Sequence, residues 1–308
     1  MSERKPISFI VTVIALAAAG SVLYYYVHQL PTDVGATTAS AGVQGISLHE
    51  LAERGDTEAL AAQIRNGAKL DVVIESGPLW QRGMTPLMAA IVAGQDKATQ
   101  TILDAKPSLD VRSRDGRTAL IWAAGWGTPN MVQHLLDAGA EKNVRDEANW
   151  TALMMAAGRG DAQSVNLLVK SGADINAKNK WGQTALMTAL RAGNVEKTEI
   201  LLEAGANPND TDLNGLTPMH MAAEGGAPVE VISMLVKRGG NINAQSADGL
   251  TPLMIACDRA DVERVKILLA NGCKTELKDK DGATALDWAL RRSDDNGNAV
   301  AELVRKSH

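Results

Sequence analysis

Residues 216–223 read LTPMHMAA, and residues 172–177 read GADINA. In the first stretch Thr217 can cap a helix start, and Pro218 sits at the first helical position, where a missing N–H costs nothing. The second stretch opens on Gly172, a residue that accepts the left-handed conformation at a helix C-terminus. Both recur along the chain. Thr followed by Pro or Ala and then Leu or Met appears at Thr85, Thr118, Thr151, Thr184, Thr217, Thr251 and Thr284, at intervals of 33, 33, 33, 33, 34 and 33 residues. Spacing this regular marks a chain assembled from repeated supersecondary units.

Each unit follows one plan. Small residues come after the capped start (Ala123-Ala124, Ala156-Ala157, Ala222-Ala223) and let neighbouring helices approach closely. A Gly-centred break then reverses the chain. The second helix is marked by apolar pairs, Leu135-Leu136, Leu167-Leu168, Leu201-Leu202, Leu235-Val236 and Leu268-Leu269, and is stopped by Gly139, Gly172, Gly205, Gly239 and Gly272. Turn dipeptides such as Asp115-Gly116, Asn214-Gly215, Asp248-Gly249 and Asp281-Gly282 lead into the next Thr.

This pattern resembles the ankyrin repeat, whose signature is Thr-Pro-Leu-His-x-Ala, a Gly turn, a Leu-Leu pair and Gly-Ala-Asp-x-Asn. An earlier unit begins near Ile46, where Leu48-His49-Glu50-Leu51-Ala52 and Gly55-Asp56 match the first helix and turn. The resemblance covers residues 46–308 and implies an all-α solenoid of about eight helix-turn-helix units with hairpin fingers, starting near residues 46, 85, 118, 151, 184, 217, 251 and 284. Residues 72–84 (VVIESGPLWQRGM) lengthen the first finger and carry Trp80. An extra residue falls near Ala227-Pro228 in the sixth unit, and the last turn is extended at residues 293–298. A polar end at Arg305-Lys306-Ser307-His308 suits a capping unit with one face in water.

Ahead of the repeats, residues 7–27 hold no charged side chain. As a helix this run would span roughly 31 Å, about one bilayer core. Arg4 and Lys5 precede it and no Lys or Arg follows until Arg54, an asymmetry that leaves residues 1–6 in the cytoplasm and exports the rest. Tyr24, Tyr25 and Tyr26 stand at the far end, where aromatic rings favour the interface. The segment therefore reads as a transmembrane signal-anchor helix, a single pass with the repeats in the periplasm. The competing reading is a cleaved signal peptide and a soluble periplasmic protein, since Ala17-Ala18-Ala19 and Ala39-Ser40-Ala41 have the small-x-small form of a cleavage site. Residues 31–45 (PTDVGATTASAGVQG) read as a flexible spacer.

Composition removes several function classes. A net charge of -5 and a pI near 5.6 argue against a nucleic-acid grip, which needs a concentrated basic surface. His28, His49, His134, His220 and His308 share no ligand-like spacing, and no nucleophile motif, phosphate-cradling loop or Cys-x-x-Cys pair is present. Asp279-Lys280-Asp281-Gly282 resembles part of a calcium loop, but the position for a bidentate Glu is Trp288. Cys257 and Cys273 replace small buried residues and read as free thiols. The expectation is a protein with no catalytic centre, cofactor, metal or small-molecule substrate. The resemblance assigns His49 and His220 to the scaffold, and Met88, Met154, Met187 and Met254, which stand in the signature's His position, to the core.

All Phe and Tyr residues lie within the first 26 positions, so the six Trp residues stand out. A core of Leu and Ala leaves little room for indoles, which places most of them on the surface. By the resemblance Trp122, Trp126 and Trp288 face the inner groove, with Trp150 and Trp181 at neighbouring finger tips. Trp122, Trp126, Trp150, Met155, Arg159 and Trp181 thereby form the candidate partner-binding surface. The function expected is a membrane-tethered protein-protein interaction module, an inhibitor or immunity protein for an exported effector or an envelope scaffold. The alternative is an exported stress-protection factor or enzyme-associated subunit.

Overall fold

The computed structural model describes residues 46–75, 78, 81–292 and 294–307. The anchor at 7–27, the spacer at 31–45, Trp80 and His308 lie outside the described residues. From Ile46 onward the chain forms one compact unit of sixteen α-helices, and no strand occurs among the described residues. No helix there is long and apolar enough to cross a membrane.

The helices come in pairs. They are α1 (Leu48–Arg54) and α2 (Thr57–Arg65), α3 (Pro86–Val92) and α4 (Asp96–Asp104), α5 (Ala119–Trp126) and α6 (Pro129–Asp137), and α7 (Ala152–Gly158) and α8 (Ala162–Lys170). They continue with α9 (Ala185–Arg191) and α10 (Val195–Glu203), α11 (Pro218–Glu224) and α12 (Glu230–Lys237), α13 (Pro252–Asp258) and α14 (Val262–Ala270), and α15 (Ala285–Ala289) and α16 (Asp295–Arg305). Each odd helix packs on the odd helices before and after it and on its even partner, and the even helices form a second row. The core runs between the rows.

The recurring Thr residues hold the helix starts. The hydroxyls of Thr85, Thr151, Thr184 and Thr251 accept the N–H groups of Met88, Met154, Met187 and Met254 at 3.2–3.4 Å. Thr217 differs: its N–H donates to His220 Nδ1 at 3.0 Å, and Nε2 of the same ring lies 2.9 Å from the Leu250 carbonyl of the next finger. His49 reaches the Met84 carbonyl in the same way, at 3.0 Å. Both rings thus bolt one repeat to the next.

Apolar packing fills the space between rows. Leu135, Leu168, Leu201, Leu235 and Leu268 are fully buried, each contributing about 2 kcal/mol by leaving water. In the fourth repeat this register position falls on Leu168, so the pair that matches Leu135-Leu136 is Leu168-Val169 and not Leu167-Leu168. Alanines 123, 124, 156, 157, 222 and 223 are also buried, which brings the odd helices close: a Cβ built on Gly125 of α5 would stand 3.6 Å from Met155 Cβ of α7. Cys257 is fully buried, and its thiol is pushed up to about 12 by burial; Cys273 is half-buried and pushed up to about 11 for the same reason. Both are free.

Two buried cations close helix ends. Lys197 of α10 points its ammonium at the carbonyls of Ala156, Ala157 and Gly160, at 3.3, 3.1 and 2.6 Å, where α7 ends. Arg264 of α14 does the same for α11, donating to the carbonyls of Ala222 and Ala227 while Asp261 neutralises it. Positive charge at a helix C-terminus meets the negative end of the helix dipole and satisfies carbonyls that have no intrahelical partner.

Burial holds the His220 pKa below its ordinary value of 6.5, against weaker support from backbone hydrogen bonds. Nδ1 accepts the Thr217 N–H and lies 2.8 Å from the Thr217 hydroxyl oxygen, so a proton placed on it gives up the main-chain bond. Above the unfolded pKa the ring is neutral in both states and its contribution to stability is complete. As pH falls below that value the unfolded chain takes up the proton first, and stability declines. Replacing His220 with Met, the residue four other repeats use here, should therefore reduce the loss in urea midpoint between about pH 7.5 and about pH 5.5. An unchanged difference between the two pH values would refute the assignment.

Candidate functional site

From Ser113 onward each finger turns about one acceptor side chain, five residues before the recurring Thr. Asp146 Oδ1 takes the N–H groups of Ala148 and Trp150 at 2.9 and 2.8 Å, and Asn179, Asp212 and Asp279 repeat the arrangement. Ser246 does so with a hydroxyl, and the Ser113 hydroxyl takes one main-chain N–H, that of Arg117. Successive fingers are then joined by main-chain bonds, Glu147 N to Asp115 O, Lys180 N to Ala148 O and Leu213 N to Trp181 O, all at 3.0 Å. Gly116 makes this approach possible: its φ is 77° and a Cβ there would meet Glu147 N at 2.9 Å.

Against this frame lies a cluster of two tryptophans and two arginines. The Trp122 and Trp126 rings, one helical turn apart on α5, are 4.8 Å apart between centroids and tilted by 46°. The Arg117 guanidinium stands 5.0 Å from the Trp122 ring and 5.3 Å from that of Trp126, and Arg159 approaches Trp126 to 5.1 Å. Each contact places a cation against the negative face of an indole. Arg117 also donates from Nε to Asp146 Oδ2 at 3.2 Å, an ion pair almost wholly buried, while its Nη1 is buried without an acceptor. The second oxygen of the finger-closing carboxylate thus fixes the cation that packs on both indoles.

The candidate residues fall into three groups. Trp126 and Arg159 are together on the accessible face, Trp126 half-buried and Arg159 exposed. Trp122 and Met155 are buried, each 4 % exposed, which corrects their placement on the surface. Trp122 fits because its Nε1–H donates to Ser113 Oγ at 3.3 Å, so the indole brings no unpaired donor into the core. Trp288 repeats this: it is 6 % exposed, and Nε1 donates to Asp279 Oδ2 at 2.9 Å. Trp150 and Trp181 are half-buried on successive fingers, Trp150 tied through its N–H to Asp146 and Trp181 through its carbonyl to Leu213.

Arg117 and Asp146 were not among the sequence candidates. Their signal is positional, Arg117 one residue before Thr118 and Asp146 five before Thr151, both in the recurring Thr series.

A family model for ankyrin repeats, in three copies, matches residues 48–146, 153–246 and 219–308. The chain belongs to the ankyrin-repeat family. Such repeats are protein-protein interaction modules, and the described unit has the helix pairs and linked fingers of that architecture. Over 46 residues the chain is 52 % identical to the E3 ubiquitin-protein ligase hecd-1 of Caenorhabditis elegans, a match that covers 15 % of this chain and 2 % of that protein.

Asp146→Asn should lower stability by about 1–3 kcal/mol, because Oδ2 is replaced by an amide that faces Arg117 inside the protein. Asp212→Asn should cost under about 0.5 kcal/mol, since Asn179 already fills the equivalent place. Equal losses in chemical denaturation would show that the Arg117 ion pair does not hold this region together.

Proposed function

We propose that this ankyrin-repeat chain is a non-catalytic recognition module that grips a protein partner along the odd helices and finger tips of its third to fifth repeats. The observation that carries the reading is Trp126, a half-buried indole at the end of α5 flanked by Arg117 and Arg159. Trp and Arg dominate binding energy at interfaces because they offer large, stiff contact area with a polar edge. A frame of linked fingers presents them with little ordering cost on association.

The tether is the second part of the proposal. Residues 7–27 act as a signal anchor, and 31–45 as a spacer that holds the repeats on the outer face of a bacterial cytoplasmic membrane. Confinement to one membrane surface suits an inhibitor or immunity protein for an exported effector, or a scaffold for an envelope complex. A reporter joined after His308 should be active in the periplasm; activity confined to the cytoplasm would reverse the topology.

Burial changes which variants test the groove. Trp122→Ala would empty a core position at a cost of about 3–5 kcal/mol, so a loss of binding there would report folding. Trp126→Ala with Trp181→Ala keeps both capping Thr residues and both finger acceptors intact. Affinity capture from membranes with the intact protein and this double variant side by side should show partner recovery reduced at least about tenfold, at an unfolding midpoint that remains cooperative. Full recovery by a folded variant would remove these repeats from the interface.

A further inference from the structure

Helices α5, α7 and α9 read ALIWAAGW, ALMMAAG and ALMTALR, without a single carboxylate. The cations along this stretch are Arg117, Arg159 and Arg191. Asp146 serves Arg117 alone. Among the described residues no carboxylate lies within ion-pair distance of Arg159 or Arg191: Arg159 has the Trp126 ring, and Arg191 reaches Met221 Sδ at 3.8 Å. The next odd helices differ. There α11, α13 and α15 supply Glu224, Asp258 and Asp287, and Glu224 pairs with Arg259 at 3.1 Å. A chain with net charge -5 thus sets three guanidiniums along odd helices that carry no carboxylate of their own.

Arg117 is tied to Asp146, but Arg159 and Arg191 are not held there by the fold. Lys197 and Arg264 show what a structural cation looks like in this solenoid, with the amino or guanidinium group turned onto helix-end carbonyls. Arg159 makes no such bond. It is exposed, its pKa is lowered by partial burial and then by the neighbouring charge of Arg117, and the Nη1 of Arg117 beneath remains without an acceptor. An anion brought to this place would relieve the repulsion between the two guanidiniums and would lie against a low-dielectric wall of indole and alanine.

Resting on the groove reading above, we propose that Arg159 and Trp126 form a carboxylate seat, with Arg117 supplying underlying charge and Arg191 extending the field to α9. Its occupant is an Asp or Glu side chain on an acidic segment of the partner protein. The carboxylate pairs with the Arg159 guanidinium, and the aliphatic stem of the acidic residue packs on Trp126. Carboxylate is the one anion a protein partner carries without modification, and a planar guanidinium receives it through two parallel N–H bonds.

Panning a random dodecapeptide library against the full-length chain in detergent tests this with the natural partner still unidentified. The expected yield is peptides that share an Asp or Glu. Changing that residue to its amide, or changing Arg159→Gln in the chain, should each weaken binding by roughly 30-fold, and the double change should add little beyond either alone. Arg159 is exposed, so its variants retain the fold, and Arg159→Lys should keep part of the affinity. Peptides that lose binding with Trp126→Ala but tolerate the amide would overturn the carboxylate seat and leave the groove reading standing. Peptides indifferent to Trp126→Ala would overturn both. Self-association abolished by Arg159→Glu, with no peptide enriched, would give the seat to a second copy of this chain, and a library enriching nothing over the Arg159→Glu chain would also reject the proposal.

Discussion

A single acceptor side chain, five residues before the recurring Thr in the fingers from Ser113 onward, takes one or two main-chain N–H groups and folds the finger between one repeat and the next. Everything lateral follows from it. Only a finger closed this tightly brings its tip N–H within reach of the preceding finger's carbonyl, and the resulting row of 2.9–3.1 Å bonds sets the spacing of the odd helices. Where the acceptor is a carboxylate, one oxygen is taken up by the turn and one is left over. Asp279 gives its second oxygen to Trp288, and Asp146 gives its own to Arg117. Serine offers no second oxygen, and at Ser113 the same hydroxyl accepts both the main-chain N–H of Arg117 and the Nε1–H of Trp122. At Ser113 and Asp279 the finger acceptor thereby lets the following helix bury an indole.

Charge obeys the same economy of partners. Lys197 and Arg264 lie inside the protein, yet each faces carbonyl oxygens that the ends of α7 and α11 would otherwise leave bare. The desolvation cost of the cation is offset because the helix end needs a donor there. Helix termini recur every repeat, so a solenoid has many such places. A guanidinium away from them, against an indole, is held by a weaker and less directional attraction. That difference separates the cations of the scaffold from those of the groove.

The periodic Thr, the Leu of the even helices and the terminal glycines made the helix pairs and their order legible, because each encodes a local rule of capping or burial. Register was less legible where two adjacent residues are both apolar: Leu167 and Leu168 are chemically the same, and only packing shows that Leu168 faces the core. The burial of Trp122 and Trp288 was illegible for a similar reason. Volume alone argues against Trp in a core of Leu and Ala, but the repeat register sets Trp122 between Ala89 and Met155, and a small neighbour provides the room. Arg117 and Asp146 were invisible as a pair. They are 29 residues apart, and their meeting depends on two fingers being stacked, which is a property of neighbouring repeats.

This dependence bears on how a repeat chain acquires a specific surface. The scaffold positions vary little, since a Thr at the first helix start, a finger acceptor and a buried Leu recur in most units. The positions four and eight residues after each Thr are free to vary, and here they run Ala89, Trp122, Met155, Thr188, Met221, Ile255, Trp288 and Ala93, Trp126, Arg159, Ala192, Gly225, Arg259, Arg292. Side chains at one of these positions in successive repeats lie side by side, so a cation in one unit can stack on an aromatic in the unit before it, as Arg159 does on Trp126. Recognition chemistry is then written across repeats while stability is written within them. A substitution in the free columns can change what the groove attracts without touching a cap or a finger, provided that the side chain replaced is not itself anchored to the finger acceptor as Trp122 and Trp288 are.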